Sequence, residues 1–294
     1  MGKREPKIKS ACFFNVDKPS GIVSSAVVNK LKWLTGMPCG HMGTLDPLAS
    51  GVLPVGAGNA ARLFDYFLEK EKTYVAEFTF GVDSDTLDST GTLVYGGRVP
   101  SQSEIEDVLP SLTGEVLQIP PKYSAKNVNG KRGYELARAG VEFELPPKKI
   151  TIHDIRLLEQ TAGDTFRFEI TCGGGTYIRS IGRDMAAALE TKAVMSSLRR
   201  TKSGVFMLKN AVPFALLEND PAPAELEQYA IATDSVLPYK RLTLTAKGWE
   251  RIFNGVCVPA DCEDGLYRFY NPDGSFYGIA EVKSGLAKLK TKLC

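Results

Sequence analysis

The chain has 294 residues, 43% hydrophobic and 24% charged, with a net charge of +2, ordinary for a globular protein that buries a core without staples. No apolar run approaches the length of a membrane span, and the charged N-terminal stretch MGKREPKIKSA lacks the apolar segment of a signal peptide. The six cysteines form no CxxC pair and there are only two histidines, which argues against a structural zinc site and for reduced thiols of a cytoplasmic protein.

Taken in chain order, residues 12–17 read as a strand and Lys18-Pro19-Ser20-Gly21 as a turn. Ser24 or Ser25 is the expected cap of a helix over 26–35, with Val27, Val28, Leu31 and Leu34 at helical spacing. Glycines and prolines make 36–58 a loop with a short apolar segment, Gly51 to Val55. A helix is expected over 59–69 and a strand over 72–81, where KTYVAEFTFG alternates and is rich in β-branched and aromatic residues. An Asp-rich connection over 82–92 leads to a helix at 103–111.

Residues 119–132 read as an irregular basic loop and 133–139 as a short helix. The stretch 120–150 holds seven Lys/Arg against three acids, a local excess that suits a phosphate-rich partner and equally suits a solvated surface. Strands are expected at 149–160 and 165–172, a glycine break at 173–175, and helices over 177–190, 194–198 and around 223–229. The proline-bearing stretch 211–240 reads as an exit from the main domain. Runs at 241–245, 266–270 and 276–282 suggest a small β-rich module, too short to fold robustly unless packed against the rest. This mixture predicts an α+β fold with a mixed, largely antiparallel sheet.

The segment GHMGTLDPLASGVLPV, residues 40–55, presents one carboxylate, Asp46, on a loop stiffened by Pro47 and flanked by glycines. Read by itself, Asp46 before a proline is more often a turn-former than a reactive group. The whole run, however, resembles the signature of the TruB family of pseudouridine synthases. The same resemblance extends through Asp17-Lys18-Pro19-Ser20-Gly21, through Lys72-Thr73-Tyr74 with Thr86-Leu87-Asp88-Ser89-Thr90-Gly91, and through Pro120-Pro121-Lys122-Tyr123-Ser124-Ala125. It continues in Cys172-Gly173-Gly174-Gly175-Thr176-Tyr177-Ile178-Arg179-Ser180 and in Ser197-Leu198-Arg199-Arg200-Thr201. These blocks fall in the family's order over residues 12–206, and the Pro-Leu-Ala-Ser-Gly-Val-Leu-Pro form matches the bacterial tRNA enzymes. The chain departs from the pattern at Val23, Asn127 and Gly173, where the family has threonine, lysine and serine.

The resemblance implies a catalytic domain over 1–235, with 120–150 as an RNA-clamping insertion, and a PUA-like RNA-binding module over 236–294. It implies isomerisation of uridine to pseudouridine at position 55 in the T-loop of tRNA. Asp46 would be the nucleophile, Arg179 the cation beside it, and Tyr74 the ring facing the base. His41, Tyr74, Tyr177, Leu198 and Lys18 would bind substrate. Nothing is oxidised or added, so neither cofactor nor metal is expected, and the target base must leave its stack. The expected partner is tRNA, through its T-arm and acceptor end, with no membrane, no guide RNA and no obligate protein partner for a cytoplasmic monomer. The competing readings are a non-catalytic RNA-binding or tRNA-folding protein, a synthase acting on another RNA such as rRNA, and a hydrolase using paired carboxylates, which would release free uracil.

Overall fold

The computed structural model describes residues 8, 10–68, 70–124, 126–128 and 130–293. The leader reading at 1–7, the end of the helix expected over 59–69, Ala125 of the fourth motif block, and Cys294 lie outside the described residues. Four strands, β1 (Cys12–Lys18), β2 (Ser50–Ala57), β3 (Lys72–Phe80) and β4 (Gly114–Gln118), contribute to one large sheet, and helix α1 (Ser24–Thr35) lies between the first two in sequence. The long hairpin β5 (Lys148–Ala162) and β6 (Thr165–Cys172) leads into helix α2 (Ile178–Ala188) and strand β7 (Ala193–Ser203). Across the sheet the order is β1-β2-β7-β3-β6-β5-β4. Only the β2–β7 contact in that series is parallel, so the sheet is mixed and largely antiparallel, as expected.

Alternation explains β3. Lys72, Tyr74, Ala76, Phe78 and Phe80 face the core, while the residues between them are partly exposed. Helix α2 lies on that face, where a Cβ on Gly182 would meet the Phe78 ring at 2.5 Å. Only a glycine lets helix and strand approach so closely. The core follows from the same face and includes Val27 and Leu31 of α1, Leu45, Phe168, Ile181 and Met185.

Three sequence expectations are corrected. The segment 194–198 is strand, not helix: it is the start of β7, covered by strands on both edges and by α2. Its opening run is buried without alternation, a pattern that periodicity alone cannot distinguish from helix. The apolar segment expected at 51–55 is part of the eight-residue strand β2, fully central in the sheet. The helix over 59–69 is a 3-10 turn at Gly58–Leu63 followed by one short turn at Asp65–Leu68.

After residue 239 a second sheet forms around β8 (Gly265–Tyr270), β9 (Phe276–Lys283) and β10 (Leu286–Lys292), with helix α3 (Ala246–Phe253) against it. The expected run 241–245 contributes only Lys240–Arg241 as strand, and α3 was not anticipated. Phe269, Tyr277, Val282 and Ile252 build a small core of its own. It is also sealed to the main body, because Ile279 and Leu293 pack with Phe13, Val52 and Phe67. Asn59 donates to the Leu293 carbonyl at 2.8 Å, and Tyr66 meets Thr291 at 2.6 Å. No helix among the described residues is long and apolar enough to cross a membrane.

Candidate active site

The loop between α1 and β2 carries Asp46, and buried donors hold it from below. The Ser24 hydroxyl accepts from the Leu45 N–H at 2.9 Å and donates to the Leu45 carbonyl at 2.8 Å. It was expected as a helix cap; instead Val23 takes the cap position with no side-chain cap bond, and Ser24 serves the loop. Lys18 is fully buried, and its Nζ donates to the carbonyls of Pro19 (2.9 Å), Ile22 (2.7 Å) and Pro47 (3.4 Å). Burial pushes its pKa down to about 8, while the charge of Asp46 acts in the opposite direction. The Pro47 carbonyl accepts a second bond from the Gly21 N–H. Lys18 therefore ties the turn at 19–22 to the residue after Asp46.

Asp46 itself is open: its side chain is 39% exposed, against 6% for its partner Arg179. Arg179 Nη2 lies 2.9 Å from Asp46 Oδ2. That guanidinium sits in the first turn of α2, capped by Tyr177. It also donates to the Thr86 carbonyl from Nη1 and to the Tyr123 carbonyl from Nη2, both at 3.0 Å, and Nη1 lies 3.6 Å from Asp88 Oδ2. Asp88 in turn accepts from the Thr86 hydroxyl and the Thr90 N–H. The preceding Leu87 adopts φ 61°, a left-handed conformation that costs a non-glycine residue about 1 kcal/mol. Its N–H and carbonyl are both used, toward Ser84 and Met195, so the surrounding bonds over-determine it. A planar fork, buried and engaged through both Nη1 and Nη2, presents a positive face to an accessible carboxylate.

Tyr74 lies on β3 opposite Ile170 of β6 and Arg200 of β7. Burial raises the pKa of its phenol, the Arg200 guanidinium works against that rise, and Asp46 is close enough to add to it. Burial likewise raises Tyr177, whose phenol also senses Arg179 and Asp46. Its backbone is clamped by Gln118, whose side chain accepts from the Tyr177 N–H at 2.9 Å and donates to its carbonyl at 3.2 Å. His41 is half-buried next to the loop, its Nδ1 has no partner among the described residues, and burial lowers its pKa. Leu198 sits beside Ala76 in the β7–β3 register, and its carbonyl accepts from the Ser50 hydroxyl at 3.4 Å. Asp46, Arg179, Tyr74 and Tyr177 thus share one electrostatic neighbourhood. Lys18 reaches it from beneath the loop, His41 through the field of Arg200, and Leu198 through the sheet.

Arg200 is the residue that sequence reasoning missed. It is 1% exposed and donates to Val52 O at 2.7 Å and Gly43 O at 2.9 Å. The usable signal is strand alternation, which puts Arg200 on the face of Leu198 and Arg199 on the other, but it appears only once 193–203 is read as strand. A cleft of about 970 Å³ lies beside the site and not over Asp46. It runs between the 119–123 and 137–147 segments and Arg183, and Tyr123 is the point where its wall meets Arg179. Among the described residues no group of three His, Cys, Asp or Glu side chains is arranged to hold a metal ion.

Residues 32–178 match the family model described as TruB family pseudouridylate synthase, N-terminal domain. The chain is similar to proteins named tRNA pseudouridine synthase B. The one from Caldanaerobacter subterraneus subsp. tengcongensis is 37% identical, with 90% of this chain and 93% of the relative covered. The one from Shouchella clausii is also 37% identical, with 95% and 97% covered. Among solved structures the fold resembles a chain in the crystal structure of a Cbf5-Nop10-Gar1 complex, with a TM-score of 0.71, 23% identity, and 96% of this chain and 85% of that one covered. The half-exposed aspartate, the buried arginine behind it and the signature loop that carries them agree with these matches: the chain belongs to the TruB family of pseudouridylate synthases.

Proposed function

We propose that this chain isomerises uridine to pseudouridine at position 55 in the T-loop of tRNA, with Asp46 as nucleophile. One observation carries the reading: an accessible carboxylate held 2.9 Å from a guanidinium that is itself buried and bonded to two backbone carbonyls. The pairing fixes the direction of the carboxylate. The reaction breaks N1–C1′ and forms C5–C1′, while a proton leaves C5 and one is gained at N1. Atoms balance without a co-reactant, so a carboxylate that holds the intermediate is sufficient.

Tyr74 supplies the ring on which the extruded uracil rests, with Tyr177 and Leu198 as the remaining walls. His41, with a ring nitrogen that has no partner among the described residues, takes the displaced nucleotides. Lys18, its ammonium enclosed by the carbonyls of Pro19, Ile22 and Pro47, holds the Asp46 loop under the bound uridine. The 120–150 insertion clamps the RNA, and the module over 236–294, PUA-like in its strand-rich build, contacts the acceptor end. The chain acts as a cytoplasmic monomer without guide RNA or protein partner.

Incubation of purified protein with unmodified tRNA, and separately with rRNA fragments, tests this directly. Pseudouridine in tRNA and no free uracil is the expected result. Free uracil without an isomerised nucleotide would show a hydrolase, and product in rRNA alone would move the substrate.

A further inference from the structure

We propose that Arg200 is a positioning residue of this site, bracing the Asp46 loop and fixing the Tyr74 hydroxyl with one guanidinium; the proposal rests on the reading of Asp46 and Tyr74 above. Adjacent arginines on β7 have opposite fates. Arg199 is 41% exposed and pairs with Asp17 at 2.7 Å. Arg200 is 1% exposed and pairs with no carboxylate among the described residues. A buried cation without a counter-charge is expensive unless other acceptors take its donors. Here Nε donates to the Val52 carbonyl and Nη2 to the Gly43 carbonyl. Those carbonyls lie three residues before Asp46 and six after it, so a single side chain spans the base of the loop.

The same guanidinium faces Tyr74 because the strand register sets Arg200 opposite Gly51 on one side and Tyr74 on the other. The approach on the Gly51 side is so close that a Cβ there would lie 2.2 Å from the Arg200 carbonyl, and Gly51 has φ 98°. Backbone contact fixes the depth of Arg200, and its length then brings the charge to the phenol. Burial would push the Tyr74 hydroxyl further from ionisation than it stands; Arg200 offsets part of that. A hydrophobic filler would serve the core equally well, so the charge is explained by what it addresses.

A double-mutant cycle distinguishes this role from packing. Single-turnover rate and tRNA affinity are measured for wild type, Arg200→Gln, Arg200→Lys, Tyr74→Phe and the combined variants, with Asp46→Asn alongside. Arg200→Gln is expected to slow turnover about 100-fold with affinity within twofold, Arg200→Lys to recover at least about tenfold of that loss, and the Arg200 effect to shrink to about fivefold or less in the Tyr74→Phe background. Unchanged turnover, or equal fold-losses in both backgrounds, overturns the proposal. If Arg200→Gln fails to fold, Arg200→Lys in the two backgrounds gives the same comparison. If wild type forms no pseudouridine, or Asp46→Asn still does, the underlying reading fails and not this inference alone.

Discussion

Two irregular segments frame the site, and they are held in opposite ways. The loop at 42–49 has almost no regular structure, yet Ser24, Lys18, Arg200 and Arg179 each bring a buried donor to it from a different element. The segment at 119–147 is anchored by the scaffold only at its start, where Arg179, Ser180 and Arg183 donate to the carbonyls of Tyr123 and Ile119, and from residue 124 on it is held largely by itself: Gly133 N–H to the Lys126 carbonyl, Tyr134 N–H to the Ser124 carbonyl, and Gly130 N–H to the Asn127 side chain. Most of its charged side chains are exposed. A loop anchored by buried side chains of the scaffold has one geometry, which suits a reacting group. A loop held mostly by local bonds can adapt to a partner, which suits an RNA clamp.

The contrast can be broken from its strong side first. Arg179→Ala removes the cation from Asp46 and leaves Asp88 unpaired; turnover should fall about 10³-fold under single-turnover conditions while tRNA affinity changes little. Loss of affinity with intact turnover would show that Arg179 serves the RNA and not the carboxylate. Ser24→Ala leaves the Leu45 N–H and carbonyl without their partner. It should cost about 1–3 kcal/mol in denaturant unfolding and slow turnover about tenfold through misplacement of Asp46. On the weak side, Lys122→Ala with Lys131→Ala should lower tRNA affinity about threefold to tenfold and flatten its salt dependence by roughly 0.7 per lost phosphate contact. Melting temperature should not move; a drop would mean the segment is as integral as the Asp46 loop.

The smallest effect is a pH dependence of stability. Burial lowers Lys18 and Lys72 to about 8, so above that pH the folded lysines release protons that the unfolded chain still holds. Stability should therefore rise with pH from about 8. Burial raises Cys12 to about 12 and Cys172 to about 11. Above the usual thiol value of 9.0 the unfolded chain loses thiol protons that the fold retains, which opposes the gain. The rise is thus confined to pH 8–9. Lys18→Met should flatten it, as read by urea unfolding at intervals across that window; an unchanged slope would take Lys18 out of the buried charged set.

Legibility followed periodicity and motif, and failed where neither applied. Alternation marked the strand that carries Tyr74 from sequence alone, and the glycines and Pro47 marked the Asp46 loop. Asp46 and Arg179 as partners came from family likeness, since 133 residues separate them and no local pattern joins an aspartate in a loop to an arginine at a helix start. Ser24 was legible as a helix-end residue but not as a loop anchor, because its partner Leu45 is distant in the chain. The start of β7 reads as helix because a strand covered on all sides loses its alternation. That misreading concealed Arg200, whose burial depends on register with two neighbouring strands.

The central claim is that Asp46, open to solvent and steadied by Arg179, performs the bond exchange. The most direct test is nucleotide-resolution mapping of pseudouridine in an unmodified tRNA transcript treated with wild type and with Asp46→Asn, at RNA occupancies matched by a binding measurement. The account predicts product at the T-loop uridine with wild type and none with the variant, although the variant still binds the transcript. Product from Asp46→Asn at a rate near that of wild type would contradict it.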